Sequence, residues 1–383
     1  MIINSPSVPA KCYCPTLEVF LKPAIPLYLL LTFSRFFFEN EYLSSAIAVI
    51  TVFYGLLLLL FFIGEFSKYR LSTFFVILCS ISFFGTALIG GNHHAYSAVI
   101  FLSNIGYASV FIVRPISPKI IELMYILVCL FFLWCAWNGV NPENVFFVSR
   151  NFISVFMLLV VSLYYISCWQ HGENPKLYVS ILALVVALWA IGRAGIAVFL
   201  GLFLFTYIFL PRKKMKARII GIFFVLVAFT LFSFSFEGIA NFEIFLVGIE
   251  RFNRLGLESA RESINSSYIG AAFDSARGFL FGARLKGIEE IVEVGGNPHN
   301  SFINLHVNSG FFGALLLTVA IFHSLKKIVL TSNLILFIVL VSCLLRSFFD
   351  ISAFYGPLDV AIMFPVLYYL SKIRVVMSSL DYS

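Results

Sequence analysis

Aspartate is nearly missing from this chain: there are four, Asp274, Asp350, Asp359 and Asp381, and no Asp-x-Asp pair. Magnesium held beside phosphates normally takes its protein ligands from carboxylates, so a metal-assisted phosphate site is not expected. Charge of either sign is scarce, at 12% of residues, about half the share of a soluble domain. The seven cysteines make no disulfide framework. Cys79, Cys129, Cys135, Cys168 and Cys343 fall in apolar segments as small packing residues. Cys12 and Cys14 have no second pair with which to build a zinc site. Nor does the beginning of the sequence carry a signal-peptide pattern. Pro6, Pro9, Lys11 and Pro15 precede any apolar run, so the first span is expected to direct its own insertion. There is no low-complexity tract and no clear internal repeat.

What the chain does have is apolar sequence. It is 61% hydrophobic, with 46 Phe and a mean hydropathy of +0.98, which makes it a polytopic, all-α membrane protein. A spanning helix needs about 20 apolar residues. Twelve such spans are expected, near 23–38, 43–63, 71–89, 95–113, 120–137, 151–169, 177–192, 194–210, 218–236, 301–322, 329–348 and 354–371. The seventh and eighth share one apolar stretch, 177–210, broken only by Gly192-Arg193-Ala194-Gly195. As a single helix it would be roughly 50 Å long, too much for one crossing of a roughly 30 Å hydrocarbon core, so a tight reversal at the glycines is expected.

An even number of spans puts both termini on one side, and the basic residues say which. They gather in the tails and even-numbered loops, most densely at Arg212, Lys213, Lys214 and Lys216, whereas the opposite short loops carry only Arg35, Arg150, Arg193 and Arg346. The positive-inside rule then makes both termini cytoplasmic, and the net charge of +7 is a topology signal, not a nucleic-acid signal. The chain divides into membrane helices over 1–236, one large outer loop over 237–300, and membrane helices with a cytoplasmic tail over 301–383. Within the loop, Ile244, Phe245, Val247, Ile249, Phe252 and Leu255 alternate with charges, as in an amphipathic helix on the membrane surface.

Chemistry is expected where that loop runs into the tenth span, at Asn297-Pro298-His299-Asn300-Ser301. Asn300 or Ser301 can cap the new helix, and Asn300, Asn304 and Asn308 line one face of it. Capping and interhelical hydrogen bonding account for the asparagines. They do not account for His299, whose neutral imidazole can take a proton from an attacking hydroxyl. His299 and His306 lack a third ligand for a metal site. Arg193, amid apolar sequence, is either a snorkelling interface residue or a guanidinium facing an anion. Arg261, Arg277 and Arg284 of the loop are either surface residues or partners of Arg193 around a diphosphate held without metal.

Pro298-His299-Asn300-Ser301-Phe302, followed by Gly310-Phe311-Phe312-Gly313-Ala314-Leu315, resembles the signature of the O-antigen ligase/polymerase superfamily. Gly192-Arg193-Ala194-Gly195 is similar to that family's outward Ser-Arg-Gly element, with glycine in place of serine. Arg261-Glu262 and then Gly278-Phe279-Leu280-Phe281-Gly282 resemble its Arg…Pro-Leu-Phe-Gly loop, with Gly278-Phe279 where X-Pro is usual and Asn265 where a Trp is common. The likeness covers roughly 177–320.

The resemblance implies a GT-C-like glycosyltransferase of the bacterial inner membrane that needs no cofactor and works on the periplasmic face. Its donor would be an undecaprenyl-diphosphate-linked oligosaccharide, and a chain-length regulator protein is a possible partner. Arg193 and Arg261 would hold the diphosphate and His299 would be the base, with Arg277, Arg284, Asn300 and His306 as substrate contacts. The Pro-His-Asn-Ser-Phe element reads closer to the polymerases, which extend another lipid-linked unit, than to the ligases, which load lipid A-core. Two other readings remain: a lipid-linked sugar transporter, whose ionisable groups would sit at the midplane, and a base supplied by Glu39 or Glu41.

Overall fold

In a bilayer every backbone N–H and C=O has to be satisfied within the chain, and helices do so locally. The computed structural model describes residues 20–38, 40–66, 70–90, 95–146, 149–209, 260–293 and 298–380, and the regular structure among them is entirely helical. In chain order the helices are α1 (Ala24–Arg35), α2 (Glu41–Phe66), α3 (Arg70–Gly90), α4 (Ala95–Val113), α5 (Pro118–Trp137), α6 (Asn151–Gln170), α7 (Leu177–Trp189) and α8 (Arg193–Phe209). After them come α9 (Ala260–Phe273), α10 (Ala276–Phe281), α11 (Glu289–Glu293), α12 (Ser301–Leu330), α13 (Leu334–Phe348) and α14 (Asp359–Leu380).

Six of these, α2 to α6 and α12, are long and apolar enough to cross a bilayer, and five shorter apolar helices accompany them. The protein is therefore a multi-pass membrane protein. The expected ninth span, 218–236, and the expected amphipathic segment near 244–255 lie outside the described residues. The reversal at the glycines is present: α7 ends at Trp189, α8 begins at Arg193, and the two helices pack on each other. The last span starts later than hydropathy suggests, at Asp359 instead of 354, because residues 349–358 fold as a loop.

Burial ranks the helices. Along α6, 94% of the apolar window is buried, against 22% along α2, so α6 is the central post and α2 lies at the outside of the described helices. Phenylalanine fills the space around α6 through edge-on pairs such as Phe33–Phe131 (5.5 Å, 88°) and Phe33–Phe146 (5.8 Å, 89°). Each such contact contributes about 0.5–1.5 kcal/mol beyond area burial.

Where helices come closest, glycine permits it. A Cβ on Gly106 of α4 would stand 1.9 Å from the carbonyl oxygen of Gly55 on α2. Gly106→Val should force α2 and α4 apart and cost about 3 kcal/mol, read as a lower thermal midpoint of the detergent-solubilised protein. An unchanged midpoint would show that this crossing can relax.

The described part of the large loop has its own small core. Ile264, Tyr268, Ala272, Ile288 and Ile291 pack with Ile303 and Val307 of α12. Gly310 interrupts α12 with φ 63° and ψ −175°, and a Cβ there would meet the carbonyl oxygen of Leu280 at 2.3 Å. The helix breaks at the point where the loop's backbone presses against it, in a conformation that suits glycine.

Candidate active site

The expected junction is built from its cap outward. Asn300 sits in extended backbone before α12, and its Oδ1 accepts hydrogen bonds from the N–H groups of Phe302 (2.9 Å) and Ile303 (3.4 Å). Its Nδ2 donates to Oδ1 of Asn265 on α9 at 3.4 Å. Both ends of the amide are spent on structure, and the residue is buried. Asn300 was expected to touch substrate; the structure makes it a helix cap and a strut to the loop instead.

His306 receives the same correction. Its Nε2 lies 2.7 Å from the carbonyl oxygen of Phe279, and its Nδ1 lies 2.7 Å from the hydroxyl of Tyr268. A carbonyl can only accept, so Nε2 carries the proton and Nδ1 accepts from the phenol. Burial pushes the Tyr268 phenol up from its ordinary value, which keeps it a donor. With both ring nitrogens engaged, His306 clamps α9 and α10 onto α12 and is not available to a substrate or a metal. His306→Ala would remove the acceptor of the Tyr268 O–H and the donor to the Phe279 carbonyl and should cost about 1–3 kcal/mol. The loss should be local, appearing as faster amide exchange over 264–281 while α6 stays protected.

His299 is different. Its backbone has φ 48°, in the left-handed region that a non-glycine residue rarely occupies, and its side chain is one-third exposed (34%). Its Nδ1 lies 4.0 Å from Oδ1 of Asp350, within ion-pair reach but longer than a hydrogen bond. Asp350 is itself held in place. Its Oδ2 accepts from Nη2 of Arg346 at 3.3 Å and its Oδ1 from the N–H of Ile351 at 2.9 Å. Ser301 fastens the two segments together: its hydroxyl donates to the carbonyl oxygen of Asp350 (2.6 Å) and accepts from the N–H groups of Ser352 (2.9 Å) and Ala353 (3.2 Å). The Pro-His-Asn-Ser element is thus pinned on one side to α9 and on the other to the loop after α13.

That loop has its own anchor. The fully buried carboxylate of Asp359 accepts from the N–H groups of Phe354 and Tyr355 and from Nδ2 of Asn104. It braces two residues with positive φ, Phe354 (62°) and Tyr355 (114°). The hydroxyl of Tyr355 then donates to Oδ1 of Asn304 at 2.9 Å, and Nδ2 of Asn308 donates to Asn304. The asparagine stripe accordingly faces protein, as structural hydrogen bonding requires.

A third segment, the turn that carries Arg193, reaches the same corner. Arg346, 2% exposed at the end of α13, donates through Nη2 to the carbonyl oxygen of Asn151 at the start of α6 (3.2 Å). Against that same end of α6 lies the α7–α8 turn. A Cβ on Gly195 would stand 2.5 Å from Cβ of Ser154, and one on Gly192 would stand 3.6 Å from Oδ1 of Asn151. Gly195 is required by this close approach, whereas a Cβ on Gly192 would make only an ordinary contact. Gly192, Asn151, Arg346, Asp350 and His299 form a continuous chain of neighbours, and the side chain of Arg193 is exposed beside it at the first turn of α8.

The other expected residues are placed less centrally. Arg261 falls in the first turn of α9, four residues before Asn265, and its side chain lies outside the described residues. Arg277 donates through Nη2 to the carbonyl oxygen of Ile89, at the end of α3 (3.0 Å), so it does not turn toward Asp350. Arg284 is exposed on the loop. Glu41 is exposed in the first turn of α2, and Glu39 lies outside the described residues.

Sequence reasoning passed over Arg346 and Asp350, counting one as a topology charge and the other among the rare aspartates. A signal was present. An arginine in a membrane helix needs a partner, and a carboxylate four residues on, at the helix end, is the nearest that local geometry can supply. Compared with known protein families, with curated proteins and with solved structures, the chain matches none.

Proposed function

We propose that this protein is a metal-independent membrane glycosyltransferase that polymerises glycan. It would transfer an undecaprenyl-diphosphate-linked oligosaccharide to the non-reducing end of another lipid-linked repeat unit. The observation that carries the reading is His299 in a left-handed backbone at the mouth of α12, one-third exposed and 4.0 Å from a carboxylate that a buried arginine braces. An imidazole backed by a fixed carboxylate is the arrangement of a general base. Its place at a helix mouth suits two substrates that are both anchored in the membrane.

In this reading the twelve spans form a GT-C-like bundle in a bacterial inner membrane, with both termini in the cytoplasm and this corner facing the periplasm. His299 takes the proton of the acceptor hydroxyl. The hydroxyl oxygen bonds to the anomeric carbon as the bond to the diphosphate oxygen breaks, with inversion. The electron pair leaves with the diphosphate, where Arg193 and Arg261 stabilise the charge. Asp350 orients the imidazole and stabilises the imidazolium, and it is a positioning residue, not a catalytic one.

Reconstitution of the full chain with lipid-linked repeat units and no lipid A-core is the test. A ladder of growing chains is expected. Transfer only when lipid A-core is added would make the protein a ligase with the same chemistry. Lipid-linked sugar crossing the bilayer equally well after His299→Asn would make it a transporter and end the catalytic reading.

A further inference from the structure

Between α3 and α12 a groove of about 630 Å³ opens sideways among the apolar helices. Ser82, Gly85 and Thr86 of α3 form one wall, Phe312 and Leu315 of α12 the other, and Leu280 of α10 closes one end. The groove has two structural causes. The break at Gly310 redirects α12, and small residues line α3; a Cβ on Gly85 would meet no atom within 4 Å. From Leu78 to Thr86 the α3 wall is about 12 Å long. The volume falls within the roughly 300–1,000 Å³ of ligand sites.

Its rim residues are open, with Ile81 63% and Phe312 64% exposed, so among the described residues no protein covers this wall. At membrane depth the covering material is a lipid chain. One end, however, is not apolar. Arg277, in the first turn of α10, is fixed by its bond to the carbonyl oxygen of Ile89, one turn beyond Thr86. A cation therefore stands at the rim of an apolar trough, the pattern of an anionic amphiphile. The planar guanidinium fork suits phosphate oxygens.

We propose that this groove binds one acyl chain of an anionic bilayer phospholipid, with the headgroup phosphate against Arg277. The roof residue Leu280 and the headgroup contact Arg277 both belong to α10, next to the Phe279 carbonyl that receives His306. The bound lipid would hold the loop against the membrane helices from the side opposite its own small core.

Native mass spectrometry of the delipidated full chain, titrated with phosphatidylglycerol or with diacylglycerol, which lacks the phosphate, tests this. Phosphatidylglycerol should bind about tenfold more tightly, the equivalent of one charge-assisted contact. Arg277→Gln should erase that preference and leave diacylglycerol binding unchanged. Gly85→Leu, which places a side chain in open space, should weaken both lipids about tenfold at an unchanged thermal midpoint. Equal binding of the two lipids by the unaltered chain, or full binding after Gly85→Leu, would overturn the proposal. So would displacement of phosphatidylglycerol by an equimolar polyprenyl phosphate, which would give the groove to a lipid carrier. The readout is lipid binding alone, so loss of the glycosyltransferase reading would leave it standing.

Discussion

His299→Asn should lower glycan chain growth in the reconstituted protein by about 10²–10⁴-fold, the share that a positioned base supplies, with the thermal midpoint unchanged. Asparagine is the informative replacement because residue 299 holds φ 48°. Asparagine tolerates the left-handed region and alanine does so at a cost of about 1–2 kcal/mol, so His299→Ala mixes backbone strain with loss of the base. If His299→Asn keeps its activity, the base lies elsewhere, and Glu41→Gln becomes the next variant to assay. The companion variant Asp350→Asn reports on the pairing by pH. A carboxylate beside an imidazole favours the protonated ring, so removing its charge makes the ring easier to deprotonate. The acid limb of the rate profile should then move to lower pH while the maximum rate falls. A profile that keeps its acid limb in place would mean that Asp350 does not act on His299.

The sequence carried most of the fold because the bilayer imposes one strong rule on it. Apolar runs of about 20 residues become helices, and the glycine break before Arg193 was legible because a helix through 177–210 would be too long. The ends were less legible. α14 begins at Asp359 because the loop before it is organised by a buried carboxylate, and hydropathy does not report a hydrogen-bond network. The site was legible in part. His299 stood out because a helix cap has no use for imidazole, yet its neighbours Asn300 and His306 proved to be structural. Residue type alone could not separate them, since each asparagine and histidine can serve a backbone or a substrate equally well. Which one it serves depends on partners supplied from α9, α10 and the loop after α13, distant in sequence. The same applies to Arg277, whose bond to Ile89 crosses 188 positions.

Arg346→Met should be among the most damaging substitutions for stability. Arg346 is 2% exposed and Asp350 17%, so the pair is shielded from water and removing one partner strands the other. Breaking a buried pair costs about 3–5 kcal/mol, and the partial exposure of Asp350 places the expected loss near the lower bound. Arg346→Met also removes the donor to the Asn151 carbonyl, so the ends of α13 and α6 should loosen together. The double variant Arg346→Met/Asp350→Asn separates stability from catalysis. With both charges gone, no buried charge is left unpaired, and the thermal midpoint should recover most of the loss. The rate should not recover, because the imidazole still lacks its carboxylate. Recovery of both would make the pair a structural brace with no influence on His299. Recovery of the midpoint alone, with kcat low and KM near its original value, would place Arg346 and Asp350 in one positioning unit. That unit explains why a strongly apolar chain retains a buried arginine at the end of a membrane helix: it fixes the carboxylate that faces the only exposed-edge histidine of the Pro-His-Asn-Ser element.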